Sequence, residues 1–216
     1  MKKLRILIAD DHALVRHGLR SVLEAQPGWT VCCEAENGRE AVKLGLEMRP
    51  DIFLLDVTMP ELNGLDATRQ ISRSIPGAPI LILTMHESDQ LCADVMEAGA
   101  SGCVLKSDSP RQLLAAVEAV AAGKQYFARL LPHLTQSRGR GPLPLAAARL
   151  PTRLSARERE IVQLLAEGRT NKEIASLLGI AFKTVDAHRT NVMRRLSMHS
   201  VAELVRYAVR ERIIQA

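Results

Sequence analysis

The chain has 216 residues, 47% of them apolar and 25% charged, which is ample for a packed core in one or two domains of an ordinary soluble protein. No apolar run approaches a membrane span, and Met1-Lys-Lys-Leu-Arg5 leads into an alternating strand rather than a signal-peptide core, so the cytoplasm is the expected location. The net charge of +5 is unevenly placed: residues 1 to 124 carry 13 Lys+Arg against 17 Asp+Glu, net −4, and residues 125 to 216 carry 16 against 7, net +9, which points to a polyanion such as nucleic acid as partner of the C-terminal part alone. Strand-like runs then alternate with helix-period segments: Leu4 to Ala9 with Leu14 to Leu23, Val31 to Ala35 with Glu40 to Met48, and Ile52 to Leu55 with Leu65 to Ile75. Ile80 to Leu83 with Leu91 to Ala98, and Cys103 to Leu105 with Leu113 to Ala122, complete the series. Five βα units predict an α/β fold with a parallel, doubly wound sheet covered on both faces. The four cysteines, Cys32, Cys33, Cys92 and Cys103, show no C-x-x-C spacing and read as reduced thiols in packed elements.

From about Tyr126 to Thr152 the pattern degrades into Gln136-Ser-Arg-Gly-Arg-Gly-Pro-Leu-Pro144, the composition of a linker, with Phe127 to Leu134 and Leu145 to Leu150 as candidates for short helices. Beyond it, Ser155-Ala-Arg-Glu158 and Thr170-Asn-Lys-Glu173 each read as a capping box. The first helix is expected to run to about Glu167 and the second to stop at Gly179. A third is expected from about Phe182 to Leu196 and a fourth from Val201 to Arg212. Helix, short Gly-containing turn, helix is the arrangement that lays a second helix in the DNA major groove. In the third helix Val185, His188, Val192 and Leu196 form one stripe, and Lys183, Asp186, Ala187, Thr190, Asn191 and Arg194 lie opposite. Lys172, Lys183, Arg189, Arg194 and Arg195 are candidate phosphate contacts, while Asp186, Ala187, Thr190 and Asn191 are candidates for base edges. Val201, Leu204, Val205 and Ala208 form an i, i+3, i+4, i+7 stripe on the last helix, either intradomain core or a dimer contact.

In the N-terminal half, Asp10-Asp11 ends one apolar strand and Asp56 another, so three carboxylates converge at strand ends, where open α/β sheets keep their functional crevice. Such a cluster needs a divalent cation, Mg²⁺ being the natural choice, or a partly protonated state with a raised pKa. Thr84 and Lys106 end two later strands on the same rim and complete a phosphoryl-binding set of metal ligands, hydroxyl and cation.

With this acid pair, Asp56-Val-Thr-Met-Pro60 followed by Gly64, then Thr84 and Lys106, residues 1 to 124 resemble the receiver domain of bacterial two-component response regulators. The resemblance implies strand order 2-1-3-4-5, phosphoryl transfer to Asp56 from the histidine of a sensor kinase, Mg²⁺ held by Asp10, Asp11 and Asp56, and Thr84 and Lys106 as the phosphate-sensing pair. It also places Thr58 and His86 beside the path of the water that removes the phosphoryl group. After a linker at 125 to 152, residues 153 to 216 resemble the LuxR-type helix-turn-helix of NarL/FixJ regulators, on Leu154-Ser-Ala-Arg-Glu-Arg-Glu160, Gly168, Asn171-Lys-Glu-Ile-Ala175 and Lys183-Thr-Val-Asp-Ala-His188. That resemblance implies promoter binding, as a homodimer once phosphorylated, with no membrane partner. The chain departs from the pattern at Ala181 and Phe182, where relatives often begin the helix with a Ser cap. It departs at Asp186, often basic, and at Cys103, where many receivers carry a switching Tyr or Phe. Two other readings are a DNA-binding regulator whose receiver is never phosphorylated and an aspartyl-phosphate phosphatase. The latter expects a general-acid Asp where this chain has Thr58.

Overall fold

The computed structural model describes residues 3–85, 88–127 and 154–214, and the chain divides into two compact units, residues 1–141 and 142–216. The first unit runs β1 (Leu4–Ala9), α1 (Ala13–Glu24), β2 (Trp29–Ala35), α2 (Gly38–Met48), β3 (Ile52–Asp56), α3 (Gly64–Ser74), β4 (Ile80–Thr84), α4 (Asp89–Ala98), β5 (Gly102–Leu105) and α5 (Pro110–Ala121). The strands form one parallel sheet in the order β2-β1-β3-β4-β5, as expected. Alternation along the strands fills two cores. Leu7, Phe53, Leu55, Ile80 and Ile82 face Ala41 of α2, Ile71 of α3 and Val95 of α4. Ile6, Ile8, Leu54, Leu81 and Val104 face Leu23 of α1 and Val117 of α5 on the other side.

Two boundaries depart from the sequence reading. Strand β2 begins at Trp29 rather than Val31; its first two residues, half-buried Trp29 and exposed Thr30, lie outside the buried apolar run, which hides its start. Chain assigned to the linker also pairs with the receiver: Cys103 N–H donates to Tyr126 O at 2.9 Å, and Phe127 is buried in the core beneath α2, α3 and α4. The two candidate short helices lie, Phe127 apart, outside the described residues.

The second unit contains α6 (Ala156–Ala166), α7 (Asn171–Leu178), α8 (Phe182–Arg195) and α9 (Val201–Arg210). Both capping boxes form, Ser155 with Glu158 and Thr170 with Glu173, and α7 stops at Gly179 with φ +62°. Helix α9 ends two residues before the expected Arg212. Arg212 turns to φ +55°, Ile213 N–H donates to Ala208 O at 2.7 Å, and the Ile213 side chain is buried in the core. Ile161, Leu164, Ile174, Val185, Val192, Leu204 and Ala208 make up that core.

Ala181 at the N-cap of α8 gives no side-chain cap. Ala181→Ser is therefore expected to stabilise this unit by about 0.5–2 kcal/mol, read as a higher denaturant midpoint with unchanged slope; no shift would mean another group already satisfies those N–H donors.

Candidate functional site

The acid pocket is built at the carboxyl ends of β1, β3, β4 and β5. Asp10 follows β1 and is fully buried, Asp56 is the last residue of β3 and 5% exposed, and Thr84, the last of β4, is 5% exposed. Lys106 follows β5 and is fixed to the adjacent strand by its N–H, which donates to Thr84 O at 2.7 Å. Its ammonium lies 2.7 Å from Asp10 Oδ2 and 2.9 Å from Asp56 Oδ2, bridging the two carboxylates. Asp11 is more exposed and reaches His12 Nδ1 at 2.8 Å.

Burial, opposed by the Lys106 cation and reinforced by Asp10 and Asp11, pushes the Asp56 pKa from 3.8 to about 6. Burial works against the Lys106 ammonium as well, but the facing carboxylates of Asp10 and Asp56 outweigh it and raise its pKa, so it stays charged. A protonatable buried carboxylate beside a fixed cation describes a site that waits for further positive charge.

The ligand atoms of Asp10, Asp11 and His12 lie within 4.8 Å of one another. Asp56, read from the sequence as a third metal ligand, stands outside that cluster and is joined to it through Lys106. His12 was not singled out in the sequence; its signal is its place straight after the acid pair, at the N-cap of α1, where its imidazole lies against both carboxylates. Asp10 Oδ2 is buried, and the Lys106 ammonium lies 2.7 Å from it. Two carboxylates and an imidazole this close are a hard donor set that fits a divalent cation, with the Lys106 ammonium holding the Asp10 oxygen on its inner side.

The loop after β3 is held close to the pocket. Gly64 N–H donates to Val57 O at 2.8 Å, and Asn63 caps α3 through the Asp66 N–H at 2.9 Å. A Cβ at Gly64 would stand 1.9 Å from Asp56 O. Gly64→Ala is thus expected to push the Asp56 backbone aside and to slow phosphoryl uptake at least about tenfold, the penalty for misplacing a reacting group; an unchanged uptake rate would show that the loop adapts. Thr58 is half-buried in this loop, and His86 lies outside the described residues.

Around the pocket, Arg16 is nearly buried and donates from Nη1 to Asp10 O at 2.8 Å. Glu34 and Glu36 of the β2 end hold it at 3.3 and 2.6 Å. This network, also missed in the sequence, locks the strand end that carries the acid pair.

In the second unit, Lys183, Asp186, Ala187, Thr190, Asn191 and Arg194 are all exposed on one side of α8, opposite buried Val185 and Val192, and Lys172 is exposed on α7. Arg189 is half-buried. Some of these side chains are already engaged. Asn171 Nδ2 donates to Asp186 Oδ1 at 3.2 Å, tying α7 to α8, and Arg194 donates to Asn191 Oδ1 at 2.7 Å. Arg195, read as a phosphate contact, is paired with Glu158 of α6 at 2.7 Å, a tie between helices. Of the stripe on α9, Leu204 and Ala208 are core, whereas Val201 is 43% exposed and Val205 half-buried. A dimer contact there is left to Val201 and Val205.

The response regulator receiver domain matches residues 6–118, and the luxR family of bacterial regulatory proteins matches residues 152–208. The chain belongs to the LuxR-type response regulators. This regulator is 39% identical over 220 residues to the oxygen regulatory protein NreC of Staphylococcus epidermidis, spanning 98% of this chain and 100% of that protein. It is 37% identical to the transcriptional regulatory protein LiaR of Bacillus subtilis over 98% of this chain and 99% of that one. Among solved structures, that of two RcsB dimers bound to two parallel DNAs is similar at TM-score 0.57 and 26% identity, covering 95% of the regulator and 98% of the RcsB chain. Among its described residues, no helix is long and apolar enough to cross a membrane.

Proposed function

We propose that the regulator accepts a phosphoryl group on Asp56 from the phosphohistidine of a sensor kinase in the cytoplasm and, once phosphorylated, binds promoter DNA as a homodimer. The observation that carries this reading is Lys106 held between Asp10 and Asp56 at 2.7 and 2.9 Å. In transfer, the N–P bond of the phosphohistidine breaks, a bond forms from an Asp56 carboxylate oxygen to phosphorus, and the imidazole leaves. Asp10 and Asp11 would hold Mg²⁺, which supplies positive charge against the phosphoryl oxygens. Lys106, already poised on Asp56, pairs with one oxygen, and the Thr84 hydroxyl donates to another.

The phosphoryl group adds about 1.5 to 2 negative charges, and drawing Lys106 and Thr84 onto it biases the receiver between two states. Moving such an equilibrium from 1:99 to 99:1 takes about 5.5 kcal/mol of preference for one state, and dimer formation would contribute part of that. Cys103 is half-buried on β5 and too small to repeat the swing of an aromatic ring, so the change would travel through the β4 end and the segment after it.

For DNA, Lys172, Lys183, Arg189 and Arg194 would meet phosphates while Asp186, Ala187, Thr190 and Asn191 face base edges, and Arg195 would join them only by leaving Glu158. Incubation with a small acyl-phosphate donor and Mg²⁺, intact mass measurement, and DNA titration of both forms test the whole chain of events. Failure to gain a phosphoryl mass would favour a structural receiver. Thr58, two residues beyond Asp56, stands where the receiver resemblance places the path of the attacking water, so Thr58 substitutions are expected to change the lifetime of the phosphoryl group more than its formation. Decay rates equal to the parent's would make Thr58 a bystander.

A further inference from the structure

Successive residues of a strand point to opposite faces, and Cys32 and Cys33 break that rule. The β1–β2 register slips at this point: Val31 pairs with Ile6 and Cys33 with Leu7, so Cys32 is the extra residue of a bulge. The bulge turns both side chains to one side, with the two Sγ atoms 3.7 Å apart. Cys32 Sγ also lies 3.4 Å from Ile6 O, and both thiols are half-buried on the edge strand of the sheet. Nothing in phosphoryl transfer or DNA binding uses this pair.

We infer that Cys32 and Cys33 form a two-thiol site that chelates a thiophilic trivalent element, with a monosubstituted trivalent arsenical as its simplest ligand. Two sulfurs this close can bind one small centre together without moving the strand, and the bulge has already fixed their side-chain directions. An arsenical needs only these two protein donors, because its third valence carries its own organic group. The step balances without an oxidant: each arsenic–hydroxyl bond is replaced by an arsenic–sulfur bond, each thiol gives up its hydrogen, and two waters leave. Burial first, then the neighbouring Cys32, pushes the Cys33 thiol up to about 12. Arsenic–sulfur bond formation and oxidation both proceed through the thiolate, so a thiol held protonated reacts slowly at neutral pH and capture of the arsenical should quicken as pH rises.

The test is titration of the native, reduced chain with phenylarsine oxide, followed by intact mass. One adduct per chain is expected, a phenylarsenic group gained and two hydrogens lost, and it should survive excess monothiol but be stripped by a small dithiol. Cys32→Ser and Cys33→Ser should each hold the arsenical at least about 100-fold more weakly, since chelation supplies the effective concentration of the second thiol. The variant lacking Cys92 and Cys103 should bind like the parent. Circular dichroism of each Ser variant separates loss of the site from loss of fold, and phosphoryl uptake by the same samples shows independently that the receiver is intact. Absence of an adduct on the parent, an adduct removed by monothiol, or undiminished binding by the folded Cys32→Ser variant would each overturn the inference.

Discussion

Asp56→Asn is expected to take up no phosphoryl group and yet to be more stable than the parent at neutral pH. The amide has the shape of the carboxylate and no anionic oxygen for attack on phosphorus, so acceptance stops. Stability follows from the raised pKa. Asp56 titrates near 6 in the folded chain against 3.8 in its ordinary state, so between those values the folded protein holds a proton that the unfolded chain has released. Stability linked to this group is therefore fully present below about pH 4, falls as pH rises, and is lost above about pH 6. Two pKa units correspond to about 3 kcal/mol. That shift is already net of the attraction to Lys106, so the expected gain, to order of magnitude, is about 1–3 kcal/mol at pH 7.5 and shrinks to nothing near pH 4. Melting curves of both proteins in a chelating buffer, where no divalent cation screens the carboxylates, measure the difference. A phosphoryl mass on the variant would move the acceptor elsewhere, and a variant less stable than the parent at pH 7.5 would mean that the Lys106 contact outweighs the strain of three acids.

The convergence behind that prediction was legible because each functional residue closes an apolar run: Asp10 follows β1, β3 ends on Asp56, β4 on Thr84, and Lys106 follows β5. In a parallel sheet those ends share one rim, so the strand pattern alone groups the side chains. The caps of α6 and α7 were equally legible, since a capping box is a local device whose partners are three residues apart. What depends on distance between elements was not. The bridge from Lys106 to Asp10, the Arg16 tie to the β2 end, the Asn171–Asp186 contact 15 residues apart and the Arg195–Glu158 pair 37 apart leave no periodic trace. The bulge at Cys32 is hidden for a related reason. One extra residue in an apolar strand alters its register with the neighbour without altering its composition. Helix α9 stops two residues short of the expected Arg212 because the chain turns there, at φ +55°, to bury Ile213 from another direction, a tertiary contact with no local signal.

Lys183→Ala and Thr190→Ala are expected to weaken DNA binding in two different ways, although both residues are exposed on the same side of α8. Lys183 makes no ion pair among the described residues, so its charge is available to a phosphate. Its removal should cost affinity on every sequence alike and lower the slope of log affinity against log salt by about one unit. Thr190 carries no charge. Its loss should leave the salt slope unchanged and relax preference at one base pair by about 1–3 kcal/mol. Asp186 falls between these cases, because Asn171 already holds it at 3.2 Å and any cytosine amino group must compete with that amide. If the regulator binds as a two-fold dimer, its preferred site is an inverted repeat with half-sites about one helical turn apart. Phosphorylation then raises affinity by raising the dimer population, so its effect should be large at low protein concentration and vanish once the chain is dimeric. Val201, exposed where Leu204 and Ala208 are core, is the residue whose change to Asp should weaken the dimer without unfolding the unit. Titration of one inverted repeat and one isolated half-site, with both phosphorylation states at several salt concentrations, separates these terms. A monomer that binds the isolated half-site with full affinity in both states would remove dimerisation from the mechanism and leave the receiver to act on α8 by some other route.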